Sequence, residues 1–197
     1  SSLSLFGQNS GLDDLWKMYN SQDFKSAIEK AKPLLEKDPN NVDFNLIIGR
    51  SLTDLTDFKK AVPYLELSVK NDTYNSWQKA WALGYLGTCY FMLQEYDNSK
   101  KLTKECFDLN ATKNATQYAY KRILLFGFDD FYKDWIIVES DNFRFHFQNM
   151  SDSDIKSYIS SREEIFQNIN EFFNSKLPKK IDFFVWKSRE DAMNLLK

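Results

Sequence analysis

The residues able to do chemistry in this chain are few and scattered. There is one histidine, His146, and there are two cysteines, Cys89 and Cys106. A catalytic zinc site takes three protein ligands, so one imidazole and two unclustered thiols predict no metal centre. Carboxylates adjoin at Asp13-Asp14, Asp129-Asp130 and Glu163-Glu164. Neighbours on a helix point about 100° apart and do not share a proton, so each pair reads as a solvated face. The six glycines form no phosphate-cradling loop, and no serine stands in a G-x-S-x-G context. With no nucleophile beside a base, the expectation is a non-enzyme without cofactor, and His146 reads as a strand residue on a polar face.

Composition narrows the remaining classes. A net charge of −2 with both signs interspersed gives no electrostatic footprint for nucleic acid or an anionic membrane. At 43% hydrophobic and 16% aromatic residues, 197 residues can form one large or two small cored domains. No run of eighteen apolar residues is present to span a bilayer. Cys89 and Cys106 occupy positions that suit small buried side chains and are expected to be reduced, a disulfide between them being the alternative. The opening Ser1-Ser2-Leu3-Ser4-Leu5-Phe6-Gly7-Gln8 resembles the tail of a bacterial secretory signal peptide, or else is a frayed terminus. A periplasmic or secreted protein is the expectation, with a cytoplasmic one as alternative.

What must position any binding residues is a repeat. Asp23-Phe24-Lys25-Ser26-Ala27-Ile28 returns as Asp57-Phe58-Lys59-Lys60-Ala61-Val62, offset by 34, and more loosely as Glu95-Tyr96-Asp97-Asn98-Ser99-Lys100 after a further 38. Self-similarity at this period marks stacked helix-turn-helix units that bury their cores only between neighbours. Leu12, Leu15, Trp16 and Tyr19 share one helical face, and Phe24, Ala27, Ile28, Ala31, Leu34 and Leu35 share the next, before Asp38-Pro39-Asn40-Asn41 ends the pair. A second pair is expected over 42–70, with Gly49 against Ala61 and Pro63 in the first turn of its helix. A third opens with Trp77, Trp81, Tyr85 and Gly87, and residues 114–125 are expected to cap the stack.

Gly49, Phe58 and Ala61, Phe24, Ala27 and Pro39, and Leu86, Gly87, Tyr90 and Tyr96 together resemble the tetratricopeptide repeat (TPR) family over residues 12–109. Ser68, Thr73 and Ser99 depart from the family's alanines and proline. The resemblance implies a mainly α fold: three repeats and a capping helix over 11–126, forming a scaffold that binds a peptide or partner protein in a concave groove. The first helices of the pairs would line it with Trp16, Tyr19 and Asn20, then Leu46, Arg50 and Thr53, then Trp81, Thr88 and Phe91. TPRs that clamp a terminal carboxylate use several Lys, Arg and Asn there. Only Arg50 and Asn20 are available, which disfavours that mode. The stripe Trp77, Trp81 and Tyr85 is expected either to bury against the chain's own residues 123–135 or the C-terminal unit, the favoured reading, or to meet an external peptide.

After Trp135 the period becomes alternating. Residues 136–140 and 143–147 read as strands joined at Asp141-Asn142, with Phe143, Phe145 and Phe147 on one face. Ser151 with Asp154 opens a long helix striped by Ile155, Tyr158, Ile159, Ile165, Phe166, Ile169, Phe172 and Phe173. Residues 181–186 form a third strand, and Ser188 with Asp191 caps a last helix. This small α/β unit, expected over 127–197, resembles in patterning the non-catalytic front of a gluzincin-type zinc peptidase domain, whose H-E-x-x-H is absent here. That resemblance implies, as the alternative function, the front portion of an exported metallopeptidase.

Overall fold

Helices begin where short polar side chains can take up the free N–H groups of a first turn. Asp23 accepts from the Ser26 N–H, Asn41 from Phe44, Ser76 from Gln78 and Ser151 from Asp154. The computed structural model describes residues 2–174 and 176–196. In order these form α1 (Ser2–Asn20), α2 (Phe24–Lys37), α3 (Val42–Asp54), α4 (Phe58–Asn71), α5 (Trp77–Met92), α6 (Tyr96–Leu109), α7 (Lys113–Leu125), β1 (Ile136–Glu139), β2 (Phe143–Phe147), α8 (Asp152–Phe173), β3 (Ile181–Val185) and α9 (Arg189–Leu196). The backbone of α1 is helical from Ser2, whereas the pattern predicted a start near Gly11. Ser1 and the side chains up to Ser10, on which the leader reading rests, lie outside the described residues. The chain divides into two compact units, Ser1–Ile123 and Leu124–Lys197.

In the first unit the three intra-pair turns are built alike. Gln22, Thr56 and Gln94 adopt left-handed backbone angles, with φ of 65°, 64° and 65°. Asp23, Asp57 and Glu95 then donate back to Met18, Leu52 and Tyr90 at 2.9, 2.8 and 2.8 Å, the double closure that ends a helix sharply. A β-branched side chain is strained at positive φ, so Thr56→Gly is expected to raise stability by about 1 kcal/mol. The urea midpoint followed by helical circular dichroism checks this, and an unchanged midpoint would rule out strain at Thr56.

Three buried clusters fill the gaps between successive pairs. Leu15, Ala27, Ile28, Ala31, Phe44, Ile47 and Ile48 join the first two. Leu46, Ala61, Leu65, Ala82, Tyr85, Leu86 and Cys89 form the next, and Ala80, Leu83, Cys106, Ala115 and Ala119 seat α7. Gly49 lies against Leu65, one turn beyond the Ala61 expected from the sequence, and a Cβ there would come within 2.6 Å of the Leu65 side chain. Gly87 meets Thr103 in the same way. Pro63 falls in the second turn of α4 and not the first, so its missing N–H leaves the Lys59 carbonyl without a helical partner on an exposed face. Cys89 and Cys106 are free and buried, with their thiols pushed up to about 11 and about 12 by burial.

The second unit is a three-stranded sheet in the order β1-β2-β3, with β1 and β2 antiparallel and β2 and β3 parallel. Phe143, Phe145 and Phe147 pack with Phe183 under Ile155, Tyr158, Ile159 and Phe166 of α8. The rest of the predicted α8 stripe is not covered: Ile165, Ile169, Phe172 and Phe173 are exposed. The opposite sheet face, expected to be polar, is covered as well. Tyr132, Trp135, Phe184 and Trp186 form an aromatic cluster upon it, and Gly127, at φ 73°, lies where a Cβ would be 3.1 Å from Phe184. His146 is consequently 1% exposed and stacked on Phe184 at 4.2 Å.

Two of the adjacent carboxylate pairs also have structural duties in place of a purely solvated role. Asp129 accepts from the Phe131 N–H at the 3-10 turn Asp130–Tyr132. Glu163 accepts from Asn142 N and Nδ2 at 3.0 and 2.7 Å and from Ser140, which ties the β1–β2 turn to α8.

Candidate binding face

Aromatic residues of α1 and α5 surround one guanidinium of α3, so the first helices of the three pairs meet there. Arg50 of α3 has its Cζ 5.7 Å from the ring centre of Trp16, 4.5 Å from Tyr19, 4.4 Å from Trp81 and 4.7 Å from Tyr85. Its Nε is buried without a hydrogen-bond partner. Ring contacts of this kind are worth about 0.5–2 kcal/mol each according to how far they are desolvated, and they fix the side chain's direction without using its N–H groups.

A polar network lies beside it. Tyr19 donates to Asp54 Oδ2 at 2.6 Å, and its hydroxyl is 2.9 Å from that of Tyr85, itself 3.5 Å from the same carboxylate oxygen. Burial pushes the Asp54 carboxyl up, against the lowering effect of the Tyr19 hydrogen bond and the Arg50 charge. Burial likewise raises both the Tyr19 hydroxyl and that of Tyr118, the latter to about 12, so the phenols remain neutral donors. Tyr85 stacks on Tyr118 of α7 at 5.2 Å with planes 4° apart, and Arg122 lies over Tyr118 at 4.2 Å. At one end of this face a cleft of about 490 Å³ is lined by Tyr19, Asn20, Gln22, Phe24 and Asp54.

The residues predicted for the groove divide in two. Trp16, Tyr19, Arg50 and Trp81 come together in the aromatic cage, Asn20 lines the cleft, and Thr88 joins at the edge through a 2.9 Å bond to Tyr118. Leu46, Thr53 and Phe91 do not reach the surface. Leu46 is fully buried between the second and third pairs, Thr53 donates to the Gly49 carbonyl and lies against Cys89, and Phe91 is buried edge-on to Tyr96. Asp54, Tyr118, Phe24 and Gln22 also lie at this face without having been expected there, and Tyr85 enters it from the aromatic stripe. A signal existed for the first, because Asp54 is four residues after Arg50 and so shares its helical face. The aromatic stripe packs within the repeats and α7, Trp77 on Trp16 at 5.5 Å and Trp81 and Tyr85 on Tyr118 at 5.5 and 5.2 Å, and not on residues 123–135 as favoured from the sequence.

In the second unit, the polar residues form a structural network. Asp182 is 3.1 Å from Arg144, 3.1 Å from His146 Nε2 and 2.6 Å from Lys179, which occupies the histidine within the sheet. Among the described residues no group of three or more His, Cys, Asp and Glu side chains is gathered as for a metal ion. The order strand, strand, helix, strand, helix is common to many small α/β units and carries no peptidase reading by itself. No helix among the described residues is long and apolar enough to cross a membrane.

No protein-family description and no curated protein matches the chain. Solved structures do. The Yersinia enterocolitica type III secretion translocator chaperone SycD is 14% identical with a TM-score of 0.54, over 64% of this chain and 84% of that one. PcrH in complex with the chaperone binding region of PopD is 14% identical with a TM-score of 0.53, over 64% of this chain and 90% of that one. The first TPR of Spaghetti (RPAP3), bound to an HSP90 peptide, is 19% identical with a TM-score of 0.49, over 59% and 90%. The helical part of this chain thus has the fold of TPR-like helical-repeat proteins, joined to a small three-stranded sheet with helices.

Proposed function

We propose that this chain is a protein-interaction module whose groove face holds a segment of a partner protein, with Arg50 as its polar anchor. The observation that carries this reading is the Arg50 guanidinium, aimed by four aromatic rings and left with a buried Nε that no acceptor satisfies. An unsatisfied buried donor costs about 1–3 kcal/mol, which an acceptor on a bound segment would recover. Aromatic residues and arginine are also the side chains that dominate binding energy at interfaces. The likeness to PcrH, itself seen with a segment of PopD, agrees with such a role; at 14% identity it speaks for the fold, and the side chains here set the partner.

Selection of a random peptide library on the full chain tests the proposal. Enriched peptides should bind Arg50→Met about tenfold or more weakly, since methionine keeps an apolar stem among the rings and removes the donors. Peptides that bind both proteins equally would remove Arg50 from the site and overturn the reading.

A further inference from the structure

We infer that the cleft beside this face is a site for a basic side chain, a lysine or arginine of the bound segment; the inference rests on the partner-binding reading and names the chemistry of one of its subsites. The lining suits a cation, having rings and a carboxylate but no basic side chain. Tyr19 and Phe24 bring two rings to it, their centres 5.4 Å apart and their planes inclined at 53°, with Arg50 already lying over Tyr19. Asn20 and Gln22 supply side-chain amides, and Asp54 supplies a carboxylate. Aromatic faces attract cations through their quadrupole, and a carboxylate completes the pairing.

Asp54 is only half used by its neighbours. Its Oδ2 takes the hydroxyls of Tyr19 and Tyr85, while among the described residues its Oδ1 accepts no hydrogen bond and no lysine or arginine stands within ion-pair distance. Asp54 is also the last residue of α3, where the aligned peptide dipoles present their negative end. Arg50 and Arg122 both act on this carboxylate from a distance, yet the cleft itself contains no cation. Arg50 precedes Asp54 by one helical turn, about 6 Å along the axis. A segment placing an acceptor on Arg50 would therefore carry its basic residue close by.

The test is a titration of the full ¹⁵N-labelled chain with Nα-acetylarginine amide, against the neutral isostere Nα-acetylcitrulline amide. Arginine should shift the backbone amides of Asn20, Gln22, Phe24 and Asp54, and citrulline should bind about tenfold more weakly. Asp54→Asn keeps the acceptor for Tyr19 and removes the charge, and should abolish the arginine preference. Gln22→Lys, at an exposed turn position, should do the same by placing a resident ammonium at the cleft. Equal shifts from arginine and citrulline, or unchanged binding in both variants, would overturn the inference. The two readings fail separately: library peptides that depend on Arg50 but lack basic residues and bind Asp54→Asn normally remove only the subsite. Peptides indifferent to Arg50 remove the parent reading even where the arginine titration succeeds.

Discussion

Gly49→Leu is expected to destabilise the repeat unit by about 3 kcal/mol, the upper end of what overpacking a tight core produces. A Cβ at this position would already stand 2.6 Å from Leu65 Cγ and 3.3 Å from its backbone nitrogen, and Leu65 is fully buried between the second and third pairs. The obstructing atoms therefore have no solvent to move into, and α3 would have to move away from α4. That separation would also displace Arg50, the next residue of α3, from rings on α1 and α5. For a unit of this size the melting temperature should fall by roughly 10 °C or more. Thermal melts of the variant check it, and an unchanged midpoint would show that α3 and α4 are not in register as described. Gly87, pressed against Thr103, provides an independent repetition of the experiment.

Asp182→Ala is expected to cost the second unit about 3–5 kcal/mol, because it leaves cations in poorly solvated positions without their counter-ion. Asp182 is 9% exposed, Arg144 11% and Lys179 12%, so none can turn freely to water. Burial pushes the Asp182 carboxyl up, but hydrogen bonds from His146 and Lys179 and the charges of Lys179 and Arg144 outweigh it, holding the group below the usual carboxylate range. The pH dependence follows in sign. A carboxyl whose folded value lies below its unfolded value, about 3.9, contributes its full stability above that value, and the contribution is lost as pH falls through the lower, folded one. Hydrogen exchange of the β2 and β3 amides should accelerate in Asp182→Ala at neutral pH. In the unaltered protein it should accelerate only in strong acid. Equal protection in the two proteins at neutral pH would make the network dispensable.

The repeat was legible because its causes are local. The 34-residue recurrence and the small residues at close helix approaches act between adjacent helices, as the caps at Ser151 and Ser188 in the second unit act within one turn. Alternation gave the strands of the second unit for the same reason, since a side chain's face is set by backbone pleat. Four of the expected groove residues, Trp16, Tyr19, Arg50 and Trp81, meet around one point, while Leu46, Thr53 and Phe91 do not, although all lie on first helices. Spacing fixes a helical face but not how wide that face remains once the next pair has packed against it.

Only the tertiary structure decided which polar groups meet. Tyr19, Asp54 and Tyr85 come from three different helices, with 35 residues between the first two and 66 between the tyrosines, and no periodicity connects them. His146 shows the same limit: alternation correctly separated it from Phe143, Phe145 and Phe147, but it could not reveal that Phe184 and the residues around Gly127 would cover the other sheet face. The sequence by itself determined the repeating helix pairs and the strand segments, because those follow from interactions close along the chain, whereas the parallel pairing of β3 with β2 joins residues remote in sequence. The Arg50 cage, the Asp54 cleft and the Asp182 network arise from residues that are remote until packing brings them together, and their charges and hydrogen bonds acquire meaning only at that distance.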